Sequence, residues 1–104
     1  MDELLKKVRD FNDRRGWRDK HSPLHLALSV AVEAGELLEC FQWIPEGDVM
    51  RRLQDDQNFN DEVGMELADV MIYVLSLSDR CQVDLRQAVL TKLALNEERF
   101  PPKD

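Results

Sequence analysis

Glycine and proline are scarce, four residues each in 104, and no stretch alternates apolar with polar residues as a half-buried strand does. Nothing in the chain asks for hairpins, so a sheet architecture is not expected. Cysteine is nearly absent as well. Cys40 and Cys81 stand far apart, each in a helical run, which reads as two buried reduced thiols rather than a disulfide framework. Basic charge is in deficit, 14 lysines and arginines against 21 acids for a net charge of −7, and this argues against binding duplex nucleic acid through its phosphates. One small polyphosphate brought in with its metal is not excluded. No apolar run reaches the roughly 18 residues of a membrane span. Met1-Asp2-Glu3 opens an acidic amphipathic stretch, not the basic segment of a signal peptide. The expectation is a soluble, cytoplasmic, single domain over residues 1–104, small enough that a second copy would help to finish its core.

What the chain has in quantity is helical periodicity. Leu4, Leu5, Val8 and Phe11 recur with charged residues between them, predicting an amphipathic helix from residue 2 to about 15 that Gly16 ends. Ser22-Pro23 supplies an N-cap and a proline at the first helical position, opening a second helix through Leu24, Leu26, Leu28, Val30 and Val32 to Phe41. This helix is apolar on most of its circumference, which makes it central; Pro45 and Gly47 stop it. Residues 46–60 read as a polar loop with a small helix around Val49, Met50 and Leu53. A third helix runs from about Asn60 to about Cys81. Gln82-Val83-Asp84 turns the chain, and Asp84 caps a last helix from Leu85 to about Phe100, closed by Pro101-Pro102. The fold class is therefore all-α, a bundle of four main helices.

Two acidic pairs break the apolar runs: Glu33-Ala-Gly-Glu36 and, after 29 intervening residues, Glu66-Leu-Ala-Asp69. Residues three apart share a helix face, so each pair projects two carboxylates, and two helices packed antiparallel would gather four. Leu67, Ala68, Val70, Met71, Ile72, Val74 and Leu75 leave Glu66 and Asp69 little polar company. Carboxylates so placed are unfavourable unless they are hydrogen-bonded, paired or holding a cation. A hard divalent ion, Mg²⁺ or Mn²⁺, is the simplest compensation. Glu62 and Glu39 lie one turn away from the pairs and read as solvent-facing or supporting. A di-iron site would want Glu-x-x-His on two helices, and neither His21 nor His25 occupies such a position; both read as structural.

Lys92, Asn96 and Arg99 form one polar, partly cationic stripe on the last helix. It is either a solvated face or a set in which Lys92 and Arg99 meet phosphate oxygens and Asn96 bonds a sugar or base. Trp17 and Trp43 sit at helix ends beside loops, where a base can slide against a ring, although tryptophan more often serves core or interface. Tyr73 lies one turn beyond Asp69.

These residues resemble a known family. Glu33-x-x-Glu36 followed by Glu66-x-x-Asp69 is similar to the metal-binding signature of the MazG-like all-α nucleoside triphosphate pyrophosphohydrolases, relatives of the dimeric dUTPases. Phe41-Gln42-Trp43, Glu66-Leu-Ala-Asp69-Val-x-Ile-Tyr73, Val83-Asp84-Leu85 and Lys92-x-x-x-Asn96-x-x-Arg99-Phe100-Pro101 resemble its small single-domain branch, which handles dCTP. The resemblance covers roughly residues 17 to 101. It implies hydrolysis of a (deoxy)nucleoside triphosphate between the α and β phosphates, with Glu33, Glu36, Glu66 and Asp69 as Mg²⁺-binding catalytic residues. Lys92 and Asn96 would hold the substrate, and Trp17, Trp43 and Tyr73 would lie near its base or sugar. It further implies a homodimer, or a homotetramer made of two dimers, with sites completed by a neighbouring chain. The spacer is long for the family and the first helix has no histidine to face a pyrimidine, so the base stays open, with dCTP-like deoxynucleotides expected. The alternative is a non-catalytic helical oligomerisation or regulatory module.

Overall fold

The computed structural model describes residues 2–103, and among them every regular element is helical. The helices are α1 (Asp2–Arg14), α2 (Pro23–Gln42), α3 (Val49–Asp55) preceded by a 3₁₀ turn (Glu46–Asp48), α4 (Gln57–Arg80) and α5 (Leu85–Arg99). The four main helices expected from periodicity are present, with the small helix between the second and third.

Local chemistry sets the boundaries. Gly16 leaves α1 with φ +68°, the left-handed conformation that glycine adopts without a Cβ penalty. The Ser22 hydroxyl accepts from the His25 amide at 3.0 Å, and Pro23 opens α2. Asp84 caps α5 by accepting from the Gln87 amide at 3.0 Å. The third helix begins one turn earlier than its apolar periodicity suggests, because Asp56 accepts from the Phe59 amide at 3.1 Å and so starts the helix at Gln57. Asn60, the expected first residue, instead sends its side-chain amide to the Leu53 carbonyl at 3.2 Å.

α2 and α4 form the central antiparallel pair. The rings of Phe41 and Phe59 meet edge to face at 6.2 Å at one end, and Arg80 donates to the His21 carbonyl at 3.0 Å at the other. Leu26 and Leu75, each 2 % exposed, are the most deeply buried side chains, joined by Phe59 and Val63. α1 packs on the second half of α4 and α3 on its start. α5 is held more lightly: Leu85, Val89 and Leu90 face Met71 and Val74 of α4 across an apolar cavity of about 400 Å³, and its later residues are almost all exposed.

The two thiols are free, as expected, but they are not buried. Cys40 is half-buried, and Cys81 is exposed because it caps the carboxyl end of α4, where the chain leaves the core.

The chain exposes 8269 Å² of surface, about 2,200 Å² more than the roughly 6,000 Å² of a compact monomer of this size. Its radius of gyration is 16.7 Å, against about 13 Å for a compact domain of this length. Leu24, Leu28 and Leu38 of α2, Met65 of α4 and Leu93 of α5 all lie exposed.

Candidate active site

The antiparallel register of α2 and α4 brings the two acidic pairs together near the middle of the fold. Glu33, Glu66 and Asp69 each offer a carboxylate oxygen, and the three oxygens lie within 4.8 Å of one another. Glu36 stands beside Glu33 rather than inside this trio. One oxygen of Glu33 and one of Glu66, both Oε2, are buried without a hydrogen-bond partner.

Buried anionic oxygens without donors are unfavourable. A hydrogen bond with Glu36 pushes the Glu33 carboxyl up, followed by burial and by the charges of Glu36, Asp69 and Glu66. Burial pushes Glu66 up first, then the negative charges of Glu36, Asp69, Glu62 and Glu39. Both shifts favour the neutral acid, which is the response of carboxylates crowded together without a counter-ion. A hard divalent cation fits this donor set: all the ligands are oxygen, two of them are orphaned, and they converge on one point.

A cavity of about 570 Å³ opens beside the cluster, walled by Glu36, Glu39, Cys40, Glu62 and Glu66, with Trp43 at its rim. Trp43 is the C-cap of α2 and its ring is largely exposed. The cavity walls are acidic, which suits a ligand that arrives with cations and not a bare anion. Glu39 and Glu62 are exposed and line it without joining the trio. Cys40 is a wall residue that periodicity gave no reason to notice. Its sulfur sits 3.9 Å from the Glu36 carbonyl, and burial followed by the charges of Glu62 and Glu66 pushes the thiol up.

The remaining candidate residues lie elsewhere within the chain. Tyr73 is half-buried one turn past Asp69. Trp17 lies in the α1–α2 linker, its indole between Phe11 at 5.9 Å and His21 at 5.7 Å. His21 stacks in turn on His25 at 5.1 Å. Lys92 and Arg99 are exposed on α5 and Asn96 is half-buried. No α5 residue lines the cavity beside the acids. Sequence reading missed one polar cluster altogether, Asp79 with Arg9 and Arg18. The signal available for it was a lone acid within the apolar second half of α4.

Comparison with known proteins bears on the family and the fold. The chain is 35 % identical to dCTP pyrophosphatase 1 of Bos taurus and, equally, of Homo sapiens, over 101 residues in each case. The match takes in 97 % of this chain and 59 % of each relative, so the chain spans about three fifths of their length. A crystal structure of a pyrophosphatase from Archaeoglobus fulgidus DSM 4304 superposes with a TM-score of 0.85 at 40 % identity, covering 98 % of this chain and 93 % of that one. The family model for MazG-like proteins matches residues 28–104, a span that holds both acidic pairs and the α5 stripe, and the chain belongs to the MazG-like family.

Proposed function

We propose that the chain is a Mg²⁺-dependent nucleoside triphosphate pyrophosphohydrolase, which releases pyrophosphate and a nucleoside monophosphate from dCTP or a related deoxynucleotide and clears unwanted nucleotides from the pool. The observation that carries this reading is the convergence of Glu33, Glu66 and Asp69 with two buried, unpartnered carboxylate oxygens among them.

Glu33, Glu66 and Asp69 hold the cation, with Glu36 completing the set from one step further out. When bound, the ion supplies Lewis-acid chemistry, neutralising charge on the triphosphate and favouring the ionised form of an attacking water. One of the glutamates orients that water and accepts its proton. Trp17, Trp43 and Tyr73 stand near the base or sugar, with Trp43 at the rim of the cavity. Lys92 and Arg99 meet phosphate oxygens while Asn96 hydrogen-bonds the nucleoside.

These α5 residues come from a neighbouring chain in a homodimer or a homotetramer of two dimers. In support of this, α5 is absent from the walls of its own chain's cavity, and the excess surface of about 2,200 Å² is on the scale that obligate partners bury. Gly35, between the two acids of α2, has nothing within 4 Å of where a Cβ would stand, so the space beside it is free for a ligand or a second chain.

The test is pyrophosphate release from a panel of common ribo- and deoxyribonucleoside triphosphates, with Mg²⁺ and with EDTA. Metal-dependent release, highest for dCTP-like substrates, is expected. A folded protein that releases none from any of them would favour a modified nucleotide substrate first and the non-catalytic helical module second.

A further inference from the structure

The densest polar cluster outside the acidic site lies at the far end of α4. The Asp79 side chain is 4 % exposed and accepts from Arg9 Nε at 2.8 Å, from Arg18 Nε at 2.8 Å and from Arg18 Nη2 at 3.2 Å. One turn earlier, Ser76 Oγ accepts from the Asn12 side-chain amide at 3.0 Å. One residue later, Arg80 Nε donates to the His21 carbonyl at 3.0 Å. A single stretch of α4 thus grips α1 at two points and the α1–α2 linker at two more.

Trp17 sits between those anchor points. Its amide donates to the Asn12 carbonyl at 3.0 Å, and its carbonyl accepts from the amides of Lys20 and His21 at 3.1 Å each. The neighbouring residue, Arg18, is fastened to the buried carboxylate. Trp17 as a whole remains 42 % exposed. The backbone is fixed while the ring stays available, which is an arrangement for presenting a flat face to a ligand.

Burying a carboxylate for stability alone is poor economy, since an apolar side chain of similar volume does as well or better; the better-attested use of such a pair is to fix registry. The registry fixed here is between the linker and the helix that carries the metal ligands. Ser76 follows Asp69 by seven residues, two turns along one face of α4, a rise of about 10 Å.

We propose that Asp79, acting through Arg18, is a positioning residue that holds Trp17 at a set height along α4 against the base of a nucleotide whose phosphates are bound at Glu66 and Asp69. The proposal rests on the function proposed above. It predicts that loosening the linker weakens substrate binding and leaves the chemical step in place.

The experiment compares Arg18→Ala, Trp17→Ala and the double variant in steady-state pyrophosphate release with Mg²⁺. Arg18→Ala leaves Asp79 paired with Arg9, so the carboxylate is not stranded. It should raise KM about five- to twentyfold, the range of a lost or misplaced base–aromatic stack, with kcat within about twofold of the unsubstituted chain. Trp17→Ala should raise KM at least as much, and the double variant should be no worse than Trp17→Ala alone, because the latch acts only through that ring. In a Trp43→Phe background, where Trp17 is the only tryptophan, Arg18→Ala should also make the indole more accessible to acrylamide quenching. An unchanged KM in Arg18→Ala, KM effects that multiply in the double variant, or unchanged quenching would each overturn the latch. No turnover from the unsubstituted chain would instead overturn the activity on which it rests.

Discussion

The hydrogen bond between Asn12 and Ser76 is the simplest place to test how α1 is held on α4. Both residues are 7 % exposed, and the bond runs from Asn12 Nδ2 to Ser76 Oγ at 3.0 Å. In Ser76→Ala the helix keeps its propensity and little volume is lost, but the Asn12 amide is left without a partner where water has little access. Stranding such a donor costs about 1–3 kcal/mol, more than the net worth of the bond itself. Taking about 2 kcal/mol, and about 4–8 °C per kcal/mol for a domain of this size, Tm should fall by roughly 8–16 °C.

Asn12→Leu alone should cost less from the polar side, because a serine hydroxyl in a helix can turn back to the carbonyl one turn earlier. The double variant Asn12→Leu/Ser76→Ala removes both polar groups and should recover most of the loss. Thermal melts by circular dichroism at one fixed protein concentration measure this, the concentration being held because any assembly feeds into Tm. The reasoning fails if Ser76→Ala melts within about 3 °C of the unsubstituted chain, or if the two single losses simply add in the double variant.

Three further outcomes are expected. Glu66→Gln should lower metal-dependent turnover at least about a hundredfold, since altering even the partners of metal ligands costs ten- to a hundredfold, yet it should raise the Tm of the metal-free protein by relieving the acidic cluster. The raised carboxyls of Glu33 and Glu66 hold their protons more tightly when folded than when unfolded, so their contribution to stability is present below the ordinary carboxylate range and is lost as pH rises through the raised values. Melts across pH should show that trend in EDTA, and the Tm increment from added Mg²⁺ should grow as pH rises; an increment independent of pH would refute the assignment. Finally, co-refolding the inactive variants Glu66→Gln and Lys92→Ala should restore roughly a quarter of full activity if each site takes α2 and α4 from one chain and α5 from its partner in a symmetric dimer, whereas no restoration would place α5 over its own chain's acids.

The acidic pairs were legible because each occupies an i, i+3 position within an apolar run, where a carboxylate is conspicuous. Their meeting across α2 and α4 also follows from the sequence, once the two helices pack antiparallel across the connection that carries α3. The start of α4 was not legible to the residue. Asp55-Asp56-Gln57-Asn58 carries no periodic signal, and only the bond from Asp56 to the Phe59 amide tells which aspartate caps. The pairing of Asp79 was illegible for another reason. A lone acid can pair with any of several arginines, and its partners, Arg9 and Arg18, lie more than sixty residues away in sequence. Cys81 shows the limit of composition arguments: cysteine is usually buried, but a helix-terminal position exposes whatever residue falls there.

The remaining apolar surface connects the fold to the site. α2 reads as a helix apolar on most of its circumference, yet within one chain only one side of it is covered. Leu24, Leu28 and Leu38 lie exposed, and Ala31 and Gly35 continue their stripe at alternating spacings of four and three residues. That stripe has the period of a helix–helix seam, with small residues at its middle that let a second helix come close. Glu33 lies two residues before Gly35 and Glu36 one after it. A second chain seated there would lie beside the metal ligands, withdraw the exposed leucines from water, and bring foreign side chains within reach of a cavity that its own α5 leaves unwalled. On this arrangement the thin core and the incomplete pocket would have one cause: the sequence would divide both between two copies.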